Sequence, residues 1–261
     1  MRSWASVVPA AVLFACACGA CDKDASSGGA ASASATAPSP SPSAASTAPP
    51  APVVHALPTI TLTDHSFTVD GQDTPWEKLA DRVKALGERK AEADGKDVSV
   101  VAMRNAPAHE VSLAASLLLD AWRPRTLTVR TATRDQSQGE IVLTYRGHDA
   151  RTADCSAVVM IERDSGVAVW SKGGGGAQRF TRGMAGPDLT SSTEALRKRA
   201  SACDSPVWFL GTAETVTWGL AFDLATRARG NGATDGGDAL RPHETVLLPH
   251  PPVAGRAVKE E

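Results

Sequence analysis

Aromatic residues make up only 5% of the 261-residue sequence, and it has no long apolar run, no surplus of positive charge and just five cysteines. Each shortage removes a class of function. No apolar stretch reaches the roughly 18 residues that would span a bilayer as a helix. A formal net charge of -2 supplies no basic field for a nucleic-acid backbone, so no nucleic-acid partner is expected. The patterns G-x-S-x-G and H-E-x-x-H, the EF-hand loop and the full phosphate-binding loop are all missing. No cofactor, metal or catalytic residue is therefore expected, and the chain reads as a non-enzyme.

The N-terminus is rich in signals. Met1-Arg2 is a short positive start, and Trp4 to Ala15 form a mostly apolar run of about a dozen residues, the length of a signal-peptide core. Cys16, Cys18 and Cys21 follow among small residues. Leu13-Phe14-Ala15-Cys16 resembles a lipobox, the motif cut before a cysteine that then carries lipid. Leu13 and Ala15 fit that pattern, whereas Phe14 is larger than usual, so Cys18 and Cys21 stand as alternatives to Cys16. Simple secretion and a soft-metal C-x-C-x-x-C site are the competing readings, but no later His or Cys cluster completes a metal shell. The expected address is the periplasmic side of a cell envelope, anchored on the membrane by lipid rather than spanning it.

Residues 22–56 consist almost wholly of Ala, Ser, Pro, Thr and Gly. Such a composition buries too little apolar surface to offset the entropy of ordering, which predicts a disordered tether. At about 3.1 Å per residue its reach is on the order of 100 Å.

The remainder reads as α+β, in two parts, 57–147 and 148–250, with 251–261 as a disordered tail. Alternation in Thr59 to Val69 predicts a strand pair, and Asp70-Gly71 a turn. Thr74, Pro75 and Glu77 form a capping-box pattern for a helix carrying Trp76, Leu79, Val83 and Leu86 on one face. Val98 to Met103 is an apolar strand. Ala108 to Trp122 is a second helix burying Val111, Ala114, Ala115, Leu118 and Leu119, ended by Arg123-Pro124. Strands follow at Thr126 to Thr131 and Ile141 to Tyr145.

This order, with Ile60-Thr61-Leu62, Val69-Asp70-Gly71, the helix from Trp76, Val98 to Ala102 and the helix from Val111, resembles the periplasmic domain of the ExbD/TolR family. The resemblance covers Leu57 to Thr131 and implies a small sheet covered by two helices, with a role in binding envelope components. Members of that family carry a membrane helix with a proton-carrying aspartate, for which this sequence has no counterpart, and tend to place an aspartate where Arg104 stands. Motor activity is therefore not implied.

The second half repeats the rhythm. Ala157 to Ile161 and Val167 to Trp170 are a strand pair around Asp164-Ser165-Gly166. A helix over about Thr193 to Ala202 leaves Arg197, Lys198 and Arg199 exposed. Val207 to Leu210 is an apolar strand, and Glu214-Thr215-Val216 opens a helix to Arg229. Arg241-Pro242 echoes Arg123-Pro124 across an inserted loop, Gly230 to Ala239. The expectation is two ExbD/TolR-like domains in tandem, each a small sheet with two helices; a single larger α+β domain is the alternative.

Cys155 and Cys203 each precede a strand of the second half, so parallel neighbouring strands would bring them within reach of a disulfide. Lys172 to Gly176 reads as a loop rather than a phosphate cradle, and Asp64-His65-Ser66 as a polar turn rather than a triad. His55, His65, His109, His148, His243 and His250 are scattered, with His109 a solvated first-turn residue. Trp76, Trp122, Trp170, Trp208 and Trp218 suit packing, or a platform for stacking on sugar. The function expected is that of a binding lipoprotein for peptidoglycan or an envelope protein complex, as an accessory to an ExbD/TolR-type transport or stator system. The alternatives are a periplasmic hydrolase acting on wall material and a structural spacer.

Overall fold

Alternating apolar and polar residues build the first sheet. Ile60–Leu62 (β1), Ser66–Val69 (β2), Gln72–Pro75 (β3), Asp97–Ala102 (β4), Thr126–Ala132 (β5) and Gln138–Leu143 (β6) hydrogen-bond in the order β3-β2-β1-β4-β5-β6. The hairpins are antiparallel, and β4 is parallel to β1 and β5 on either side. Val98, Val100 and Ala102 point into the core while Asp97, Ser99 and Val101 are exposed, so one face of this sheet is open to solvent. The covered face packs against Leu79–Leu86 (α1) and Ala108–Trp122 (α3), between which lies the single turn Lys90–Ala93 (α2). The structure, a computed structural model, describes residues 57–147, 151–184, 186–205, 207–229 and 244–259.

The second sheet holds Ala157–Ile161 (β7), Val167–Ser171 (β8), Gln178–Phe180 (β9), Val207–Thr212 (β10) and Glu244–Leu247 (β11), ordered β11-β10-β7-β8-β9. Its helices are Leu189–Ser201 (α4) and Trp218–Arg229 (α5). Read from hairpin to edge, the strand order and directions are those of β3-β2-β1-β4-β5 in the first sheet, whose β6 has no equivalent here. Buried residues of both sheets belong to one continuous core.

Several local expectations give way to other physics. Thr74 and Pro75 lie at the end of β3, and no side chain caps the 3-10 turn Trp76–Lys78 that leads into α1, so the capping box is not formed. Helix α4 starts at Leu189, where the Asp188 carboxylate accepts from the Ser191 N–H, rather than at Thr193. Arg197 and Arg199 are half-buried rather than exposed: Arg197 donates to the carbonyls of Arg227 and Ala228 at the end of α5, and Arg199 to Ser171 Oγ. Glu214 to Val216 form a turn before α5, not its first residues. The loop Gly230 to Ala239 and Arg241-Pro242 lie outside the described residues.

The expected tail is the largest departure. Residues Pro249 to Lys259 cross the second sheet as a strap. The Trp170 indole N–H donates to the Arg256 carbonyl, Val258 N–H to the Lys172 carbonyl, and Gly175 N–H to the Gly255 carbonyl. Strand alternation places Val158, Met160, Trp170, Phe209 and Gly211 on the strap side. A Cβ at Gly211 would lie 2.3 Å from Pro252 Cδ, so only glycine admits the strap there. Burial on both faces explains why β7 and β10 read as unbroken apolar runs.

Candidate functional site

The junction between the halves is built from equivalent turns. After β4, Ala106 N–H bonds the Met103 carbonyl; after β10, Val216 N–H bonds the Ala213 carbonyl. The turns then pair with each other: Ala108 N–H donates to the Val216 carbonyl at 2.9 Å and Trp218 N–H to the Ala106 carbonyl at 2.7 Å, flanking an antiparallel bridge of Pro107 with Thr217. This reciprocity is the local signature of a pseudo-two-fold relation.

Helix α5 is wedged into that junction. Trp218 is fully buried, and its indole N–H donates to Thr131 Oγ1 of β5 at 2.7 Å. Phe222 lies against β6 so closely that a Cβ at Gly139 would meet its ring at 2.7 Å. Arg104 donates to both oxygens of Asp223, at 3.0 and 2.8 Å, and Arg134 adds a bond at 2.7 Å. Arg104 thus joins the two halves.

Below the junction the edge strands β6 and β11 lie side by side. Arg229 donates to the Val142 carbonyl of β6 and to Thr245 Oγ1 of β11. Burial pushes its guanidinium below the usual arginine range, with Glu140 acting in the opposite sense. Arg146 Nη1 meets Glu244 Oε2 at 3.2 Å, yet Arg146 Nε and Glu244 Oε1 are buried without a partner.

Beyond these clamps a cleft of about 340 Å³ opens. One wall is α3, through Ser116, Leu119 and Asp120; another is the segment Leu143 to Gly147; β11 and the strap complete it. Phe209, Val246, Leu248 and Val258 give it an apolar lining, while Arg146, His250, Arg256 and Lys259 supply basic groups and Asp120 is the one carboxylate of the lining. Apolar walls with a few polar groups are the usual makeup of a binding site.

Cys155 and Cys203 form a disulfide, with Cα atoms 5.6 Å apart, because Ala157 and Trp208 are parallel partners at the same end of β7 and β10. Cys16, Cys18 and Cys21 lie outside the described residues, as do His55, His148 and His243. His65 is an exposed turn residue beside Asp64. His109 is half-buried beside Glu110, with Nδ1 lacking a partner, rather than solvated. Lys172 to Gly176 form the β8–β9 hairpin loop, on which the strap rests. Trp122, Trp170, Trp208 and Trp218 are core residues, leaving only half-buried Trp76 of the described tryptophans partly open. Among the described residues no three His, Cys, Asp or Glu side chains converge as metal ligands. Of the cleft, sequence reasoning singled out His250 as one of the scattered histidines, Ala115 and Leu119 as buried helix residues and Phe209 within an apolar strand; alternation in β11 and the run Pro249-His250-Pro251-Pro252-Val253 are the remaining signals. No protein-family model, curated protein or solved structure matches the chain.

Proposed function

We propose that the protein is a lipid-anchored, non-enzymatic binding module on the periplasmic side of the cell envelope, recognising peptidoglycan or an envelope protein complex. In this reading Cys16, or Cys18 or Cys21, carries the anchor and residues 22–56 set the folded part off the membrane. The fold is an internally duplicated ExbD/TolR-like domain, a reading supported by the shared strand order of the two sheets. The observation that carries the function is the cleft between β6, β11, α3 and the strap, which joins apolar walls to a basic rim.

Co-sedimentation of the full chain, held in mild detergent, with purified peptidoglycan sacculi at physiological salt tests the wall arm. Saturable pelleting supports it. Without pelleting, crosslinking in intact cells must recover a defined envelope protein; failure of both overturns the proposal.

A further inference from the structure

The geometry points to the cleft as a site for the C-terminal end of a partner polypeptide, an apolar last residue whose free carboxylate meets Arg256 and Lys259 at the rim. The inference rests on the binding-module reading and deepens it by naming the ligand chemistry.

The size and lining of the cleft supply the first argument. Its volume of about 340 Å³ stands at the small end of the range for ligand pockets, roughly 300–1,000 Å³. Such a space takes the end of a chain rather than a long stretch of one. Leu143 and Leu248 are buried in its wall, and Leu119, Val246 and Val258 are half-buried around them. Seating an apolar side chain among them removes apolar surface of both partners from water. Strand addition is closed to the ligand, because β6 lies against β11 and Arg229 bonds both. The chain must therefore enter end-on, with its last side chain inward and its terminus at the rim.

Charge complementarity supplies the second. Arg256 and Lys259 are exposed on the strap side of the lining, and His250 stands exposed on the same segment. The protein as a whole carries -2, so this basic bias is local. Arg146, already held by Glu244, is not required. The strap pins the two cations in place: the Arg256 carbonyl accepts from the Trp170 indole, and Val258 N–H, next to Lys259, bonds the Lys172 carbonyl. Cations whose main chain is fixed beforehand cost less ordering when an anion binds. A chain-terminal carboxylate offers two oxygens to such a pair. Asp120, on the α3 wall, is suited instead to accept a peptide N–H, which gives the entering chain a direction.

Fluorescence anisotropy with the full chain in phosphatidylcholine nanodiscs tests this, since detergent would itself fill an apolar cleft. The probes are labelled peptides of about five residues, enough to present one terminus. One ends in alanine-valine-leucine with a free carboxylate, the second is the same sequence with a C-terminal amide, and the third ends in serine with a free carboxylate. The expected result is saturable binding of the first and roughly tenfold weaker binding of the other two. The double variant R256E/K259E changes only exposed side chains and keeps the fold. It should weaken the free acid about tenfold and leave the amide as in the parent, so that the two bind alike. Equal binding of all three peptides by the parent, none up to about 1 mM, or a variant that holds the free acid as tightly as the parent overturns the inference. If sacculi still pellet with the chain in that case, the binding-module reading stands with the wall as ligand and only the terminal-carboxylate site falls; if neither binds and no crosslinked partner is recovered, both fall.

Discussion

Pro107 and Thr217 face each other at the centre of an antiparallel bridge between the two halves, with reciprocal bonds from Ala108 and Trp218 on either side. A junction of this kind makes the halves interdependent, and Trp218 is its largest buried side chain. Replacing Trp218 with alanine should cost about 3–5 kcal/mol, the range for large aromatic truncations in a core. Because one core spans both sheets, tryptophan fluorescence and far-ultraviolet dichroism should show a single, coincident urea transition for the parent and the variant. Two separated transitions would mean that the halves unfold as independent units.

The cluster around Asp223 makes a second prediction. Asp223 accepts from Arg104 and Arg134 and is only 14% exposed at its side chain. Asp223→Ala leaves a partly buried Arg104 guanidinium without its carboxylate, and should cost about 2 kcal/mol, less than for a fully buried pair because Arg104 retains some solvent. Arg104→Met in that background should recover much of the loss. A thermal-denaturation double-mutant cycle reads the coupling, and simple additivity would rule out the pairing as a stabilising link.

The scale of what sequence reasoning resolved follows the range of the interactions involved. Alternation marked β1 and β2, short apolar segments marked β4, β7, β8 and β10, and the disulfide expected of Cys155 and Cys203 required parallel neighbours, which β7 and β10 are. Strand β3 escaped because Gln72–Pro75 has no apolar face, its place being set by register against β2. The capping pattern at Thr74 lost to that same pairing. The cleft as a site was not legible, although single residues of it were. Its walls come from α3, the end of β6, β11 and the strap, segments far apart in the chain, and the strap read as a tail although the Pro252 ring packs on Gly211.

Acid should loosen the β4–β5 end of the first sheet. Asp97 accepts from Arg125 Nε at 2.8 Å and Thr126 Oγ1 at 2.7 Å. The bond from Arg125 above all, with Thr126 next, lowers its carboxyl to about 2 from an ordinary 3.8. A carboxyl depressed on folding adds stability that is present above its unfolded value and is lost as pH falls through the folded one. The contribution should therefore fade between about pH 4 and pH 2. Comparing melting temperatures of the parent and Asp97→Asn at pH 7 and pH 2 checks this: the gap should be small, because the pair is exposed, and should close in acid. A gap unchanged between the two would break the assignment.

Reduction addresses the second sheet selectively. The Cys155–Cys203 bond closes a chain separation of 48 residues at the end of β7 and β10. In the chain-entropy model a loop of that size stabilises by about 4 kcal/mol, and measured effects run nearer 2–4. The paired variant C155S/C203S should lose that amount in urea denaturation while keeping the parent's dichroism under native conditions. Adding dithiothreitol should lower the parent to the variant's midpoint and leave the variant itself unmoved.

The strap offers the sharpest geometric test. Gly211 leaves no room for a side chain under Pro252, with a built Cβ only 2.3 Å from Cδ and 2.8 Å from Cγ. Gly211→Ala should displace the Pro249 to Lys259 segment without disturbing the pairing of β10 with β7, since the main chain there is ordinary parallel strand. Loss of the strap frees the Trp170 indole N–H, buried beneath the Arg256 carbonyl, to meet water. The expected outcome is red-shifted tryptophan emission and proteolysis within the last dozen or so residues at a rate raised about tenfold or more, as expected when a docked segment opens locally. Emission and proteolysis unchanged from the parent would mean that the strap does not depend on the missing side chain at Gly211.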